Sequence, residues 1–154
     1  MNEDWLIRGT AWLAFALYIG AEAKKSRWLN ALGCALLLFH IAAAFQFKHD
    51  WSQSAAYADT ARQTAALTGW NWGGGLYINY LFALLWVWQV VGSWRKGQIA
   101  ISSQTWIVRG FFLFMFLNAA VVFVHGPARW FGLLGCLALA GVWTLQLPRF
   151  STRS

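Results

Sequence analysis

Three histidines, His40, His49 and His125, are the side chains of this 154-residue sequence best suited to chemistry at neutral pH. Imidazole titrates close to pH 7 and is the commonest metal ligand. Haem held inside a helical bundle takes axial ligands at one depth on facing helices. On the helix pattern derived below, His40 and His125 differ in depth by about 10 Å at 1.5 Å per residue. His49 and His125 share a depth at the surface, with Asp50 adjacent, and these three are the candidate metal ligands. No HxxxH or HExxH spacing accompanies them. Haem- or metal-dependent redox chemistry is one reading of this set. Nucleophilic catalysis has less support. The sequence contains no GxSxG, and His49-Asp50 followed by Ser52 is a triad in composition only, because sequence neighbours do not share the geometry that passes a proton from nucleophile to base. Gly73-Gly74-Gly75 lacks the following Lys-Ser/Thr of a phosphate-cradling loop. Cys34 and Cys136 lie inside apolar stretches without a CxxC pattern and read as packing residues. No residue is nominated as catalytic, no cofactor is specified, and the sequence leans away from an enzyme.

Binding is the other chemistry on offer. Arg8, His40, Asn79, Tyr80 and Asn118 are polar side chains set in apolar surroundings. Polar residues within a membrane normally face the bundle interior or a water-filled cavity. These five form a candidate ligand pocket if the elements carrying them bring them to one level.

Those elements follow from composition. The chain is 59% hydrophobic and 11% charged, against about a quarter charged in soluble domains. Its net charge of +7 comes from Lys and Arg scattered between apolar stretches. That is the distribution of membrane flanks rather than of a phosphate-binding face, so the implied partner is the lipid bilayer and not nucleic acid. Five apolar runs predict transmembrane helices over about 5–22, 28–47, 76–94, 106–125 and 129–147, each near the roughly 20 residues that cross a hydrocarbon core. The runs do not alternate apolar with polar residues, which excludes a β-barrel. Several of the twelve Trp residues fall at the run ends, where an amphipathic indole favours the headgroup region. The expected fold class is an all-α integral membrane protein: a single domain over 1–154 built as a five-transmembrane-helix bundle.

Charge gives that bundle a direction. Glu3 and Asp4 precede the first run, and Lys24, Lys25 and Arg27 follow it, the reverse of a cleaved signal peptide. Placing this basic cluster in the cytoplasm also puts Arg95, Lys96, Arg149 and Arg153 there. The expectation is N-out, C-in, in the cytoplasmic (inner) membrane. The longest connection, 48–75, is then an outer loop. Within it, 52–68 has helical composition, with Asp50 or Ser52 to cap it and Gly69 to end it. Its apolar residues are mostly Ala, so this extra short helix is expected to lie over the outer mouth of the bundle. His40, Asn79, Asn118 and Arg8 all belong to the outer half and could converge beneath it. The competing expectation is that His and Asn only hydrogen-bond neighbouring helices and that Arg8 reaches to headgroups. Gly132, Cys136 and Ala140 form a small-residue stripe that permits close helix approach, either within the bundle or to a second copy or larger membrane complex.

The residues His49-Asp50-Trp51-Ser52, Ala55-Ala56-Tyr57, Thr60-Ala61-Arg62-Gln63-Thr64 and Trp72-Gly73-Gly74-Gly75-Leu76-Tyr77-Ile78-Asn79-Tyr80 together resemble a pattern found in a group of small bacterial membrane proteins. The resemblance covers about a third of the chain. It implies a multi-pass bacterial protein and brings no activity or functional residues with it. The functional expectation is a binding or accessory module with an outward-facing polar pocket. A redox protein using the outer histidines and a structural subunit of a larger complex are the alternatives.

Overall fold

The computed structural model describes residues 3–96, 103–122 and 126–146. The secondary structure of the described residues is helical throughout. The helices are α1 (Glu3–Lys24), α2 (Arg27–Lys48), α3 (Gln53–Thr68), α4 (Gly75–Lys96), α5 (Ser103–Leu117) and α6 (Ala128–Leu145). A π-helical turn over Asn118–Val122 continues α5. Regular α-helix thus stops at Leu117 where the apolar pattern predicts it to run on to 125, and α6 ends at Leu145 rather than 147.

Local signals account for the starts of α2 and α3 and for the end of α3. The Ser26 hydroxyl caps α2 by accepting from the Leu29 amide at 3.3 Å. Ser52 does the same for α3, accepting from the Ala55 amide at 3.2 Å. An N-cap oxygen satisfies one of the backbone donors that a helix start leaves without a partner. Gly69 ends α3 in the left-handed region at φ 77°, where lack of a Cβ removes the steric penalty.

Five of the helices close a ring. α1 packs on α2 and α6, α2 on α4, α4 on α5, and α5 with its π-turn on α6; α3 rests on α4. Aromatic side chains fill part of the ring interior. Phe15 stacks on Phe116 with centroids 4.2 Å apart, and Tyr18 stacks on Phe112 at 4.6 Å. The Trp86 indole meets the Tyr18 ring edge-on at 5.3 Å. The small-residue stripe of α6 faces inward: Cys136 is buried, and a Cβ at Gly132 would stand 2.2 Å from the Ala120 carbonyl oxygen. Within this chain, then, Gly132 allows α6 to touch the π-turn, and Gly132 and Cys136 are taken up by that contact and the core.

The outward faces are apolar. Leu38 and Phe39 on α2, Leu84 and Trp88 on α4, and Phe131 and Leu134 on α6 are all exposed. Contiguous apolar surface of this extent is unusual on a soluble protein. By length and composition, α2, Gly75–Arg95 of α4, and α6 are able to cross a membrane. These three helices mark the chain as a membrane protein. The other two members of the ring fall short by the same measure: α1 carries Arg8 and Glu22 within its length, and the apolar part of α5 runs only over Val108–Val122.

Candidate functional site

A cavity of about 490 Å³ lies inside the ring at the end where α3 crosses it. Ring helices α1, α2, α4 and α5 supply its walls, and Thr60, Gln63, Thr64, Leu67 and Thr68 of α3 line it from above. His40, Asn79 and Asn118 all contribute to it. Three of the five polar side chains singled out by type and position therefore share one cavity.

Each reaches it for a local reason. His40 lies on the α2 face that packs against α1, and its Nδ1 is 2.8 Å from the Ile7 carbonyl oxygen. A carbonyl only accepts, so Nδ1 carries the proton and Nε2 is left as an acceptor. The histidine thus ties two helices together and also lines the cavity. Asn79 belongs to the inward stripe of α4 that includes Leu76, Ala83 and Trp86, yet it is exposed. Its exposure reflects the cavity mouth in front of it. Asn118 opens the π-turn, and its Nδ2 donates to the Phe114 carbonyl at 2.7 Å. A π-turn shifts the backbone bonding register by one residue, and the Asn118 side chain covers the Phe114 carbonyl at the point where the register changes.

The other two are elsewhere. Arg8 is exposed and does not line the cavity. The buried face of α1 is marked by Thr10, Ala14, Tyr18 and Ala21; at 100° per residue, Arg8 points about 200° away from Thr10. The Tyr80 hydroxyl donates to Gln53 Oε1 at 2.7 Å, fastening α4 to the start of α3. It supports the cover rather than the cavity. Of the candidate metal ligands, His49 and Asp50 sit in the turn after α2, with Asp50 in the left-handed region at φ 46°. His125 lies outside the described residues. Among the described residues no three His, Cys, Asp or Glu side chains gather as a metal set.

The cavity lining is graded. Near α3 it carries hydroxyl and amide groups. One to two turns further down α4 come Phe82 and Trp86, joined by Phe15, Met115 and Phe116. No Asp, Glu, Lys or Arg lines it among the described residues.

The opposite end of the ring holds a second polar arrangement. Arg109 Nη2 donates to Glu22 Oε2 and to Gln146 Oε1, both at 2.7 Å. Trp143 Nε1 donates to the same Glu22 oxygen at 2.7 Å, and Gln146 Nε2 to the Glu22 backbone carbonyl at 2.8 Å. The guanidinium stands 5.0 Å from the Trp106 ring centroid and 5.4 Å from that of Trp143. Glu22 and Arg109 are 3% and 2% exposed. This clamp joins α1, α5 and α6. The pairing of Glu22 with Arg109 is not among the expectations drawn from the sequence. The available signal was one acid and one base embedded in apolar helices at a similar level, since intramembrane charges normally pair. Trp86 links the two ends: it lines the cavity floor, and its Nε1 donates to Asn30 Oδ1 at 2.9 Å.

No family model, curated protein or solved structure matches the chain. The resemblance carried by residues 49–80 therefore adds nothing to the assignment of function.

Proposed function

We propose that the chain is a five-span binding module of the cytoplasmic membrane, oriented N-out and C-in, which holds a small neutral ligand in an outward-facing pocket beneath α3. The observation that carries this reading is the cavity, which has an apolar depth, a polar roof and, among the described residues, no charged side chain in its lining. Its volume falls in the roughly 300–1,000 Å³ range of small-molecule sites, which are typically apolar with a few placed polar groups. An ion would meet no counter-charge in such a lining. A neutral molecule with one polar end would find partners in the α3 hydroxyls, Asn79 and the free acceptor of His40.

Five crossings are supported by the dimensions and by the clamp. The 22 residues of α1 extend about 33 Å, and α5 with its π-turn runs roughly 30 Å from Ser103 to Val122. Both match a hydrocarbon core of about 30 Å. Hydropathy summed residue by residue treats Glu22 as a free charge, although Arg109 neutralises it inside the bundle. Orientation is supported by Lys24, Lys25, Arg27, Arg95 and Lys96 clustered at one end of the ring, whereas Arg8, Lys48, Arg62 and Arg129 at the other stand singly among four acids.

Topology is tested by single cysteines at two exposed positions, in a background with Cys34 and Cys136 replaced. A membrane-impermeant maleimide should label Ser54→Cys in intact cells and Lys25→Cys only after permeabilisation. The reverse pattern overturns the orientation. The pocket is tested by native mass spectrometry of protein purified in mild detergent. A small neutral molecule should accompany the wild type. Ala11→Phe, which projects a ring from α1 into the cavity, should lower its occupancy at least tenfold, equivalent to about 1.4 kcal/mol. Equal occupancy in the two proteins, or no companion at all, refutes the pocket as a binding site.

A further inference from the structure

The cavity is not evenly enclosed. Its lining residues on α1 and α2 are buried or half-buried. Exposed lining residues belong to the C-terminal half of α3 and the adjoining loop (Gln63, Leu67, Thr68, Trp72), to Asn79 of α4, to Phe114 of α5, and to Ala119 and Val122 of the π-turn that continues it. The opening is therefore on one flank of the ring, between α4 and α5, under the end of α3. On the topology proposed above, that flank looks into the outer leaflet rather than up into water. Its α5 edge is apolar, with Phe114 and Val122 facing outward, which is what a membrane-facing entrance requires and a water-facing one does not.

The chemistry of the lining sets the class of occupant. From Asn79 to Trp86 the wall passes from amide to aromatic over about 10 Å. A molecule entering from the leaflet can lay its apolar body against Phe82, Phe15 and Phe116 while its polar end stays near Asn79, Asn118 and the α3 threonines. The volume admits one chain and is too small for an intact two-chain phospholipid. Lack of charge in the lining among the described residues disfavours fatty acid anions and cationic amphiphiles, because a desolvated ion without a partner is costly.

We infer that the pocket takes a neutral single-chain amphiphile from the outer leaflet, sideways through the gap between α4 and α5. This rests on the pocket reading above and adds the ligand class and the route. The probe is a monoacylglycerol with a photoreactive diazirine near the end of its chain, incorporated into nanodiscs with the full-length protein. After irradiation, peptide mass spectrometry should find adducts on deep lining residues such as Phe82 and Met115. Ala119→Trp and, separately, Val122→Trp place an indole at the exposed α5 edge of the gap and should reduce those adducts at least tenfold. Ala66→Trp, on the exposed face of α3 and outside the cavity lining, should leave them within twofold. Two mutants on one edge guard against misfolding of either, and monodisperse elution qualifies each sample. Deep labelling that both α5 variants leave unchanged overturns the lateral route. Deep labelling lost equally in Ala66→Trp does the same. Absence of deep adducts from a wild type that retains a water-soluble companion overturns the ligand class while the pocket reading stands. Absence of adducts and companion overturns both.

Discussion

Glu22→Ala should destabilise the protein by roughly 3–5 kcal/mol, the usual cost of removing one partner from a buried ion pair. The loss exceeds that of a single contact because two of the three groups that Glu22 receives are held by its side chain, while the third survives the substitution. Its carboxylate accepts from Arg109 and Trp143, and its backbone carbonyl accepts from Gln146. Removing the carboxylate leaves the Arg109 guanidinium 2% exposed without a counter-charge. Two of its nitrogens, Nε and Nη1, already have no hydrogen-bond partner among the described residues. Glu22→Gln should cost less, since an amide oxygen can still accept from Trp143. The double replacement Glu22→Met with Arg109→Met should recover most of the loss, as buried pairs replaced by apolar residues of similar size often do. Reversible unfolding in mixed detergent micelles, followed by far-UV circular dichroism, measures all three. A Glu22→Ala protein within 1 kcal/mol of wild type would show that the clamp contributes little.

Gly132→Ala should cost roughly 1–3 kcal/mol, the range for overpacking a well-filled interior, although it adds only one methyl group to a helix. The methyl carbon would stand 2.2 Å from the Ala120 carbonyl oxygen and 2.7 Å from its carbonyl carbon. Backbone atoms on a packed helix have no alternative rotamer, so α6 and the π-turn must separate. Asn118 opens that same turn, so the displacement should also loosen the cavity wall and lower ligand occupancy in the mass-spectrometric assay. Gly141→Ala is the control, because a Cβ there meets nothing within 4 Å. It should leave occupancy unchanged and raise stability by up to about 1 kcal/mol, the advantage of Ala over Gly inside a helix. Equal behaviour of the two alanine variants would remove the close α6 contact from the account of stability.

Much of this arrangement was legible in the residues themselves. Ser52 and Gly69 bound α3 because their local chemistry needs no tertiary context. His40, Asn79 and Asn118 stood out as polar interruptions in apolar runs, and all three line the cavity. Arg8 stood out equally and points outward, because its place is set by the rotation of α1, which a single hydrophobic run does not encode. The buried face of that helix is read only from Thr10, Ala14 and Tyr18 together. Tyr80 was the right type of residue one position from Asn79, and that one step of about 100° turns it toward Gln53. The pairing of Glu22 with Arg109 spans 87 residues. It depends on α1, α5 and α6 meeting at one corner of the ring, and no local pattern records that meeting. The π-turn is likewise absent from the apolar pattern; Ala120 within it lies against Gly132 of α6.

The ring is closed by contact between its first and last helices, and this has a consequence for synthesis. Glu22 leaves the ribosome 87 residues before Arg109. At about 5–20 residues per second, the acid waits roughly 4–17 s for its partner, and Trp143 and Gln146 follow later still. During that interval α1 is held mainly by α2, the neighbour with which it shares its longest seam. The nascent chain therefore passes through a state in which a helical hairpin carries an unpaired carboxylate at one end, and only emergence of the final helix completes the lock.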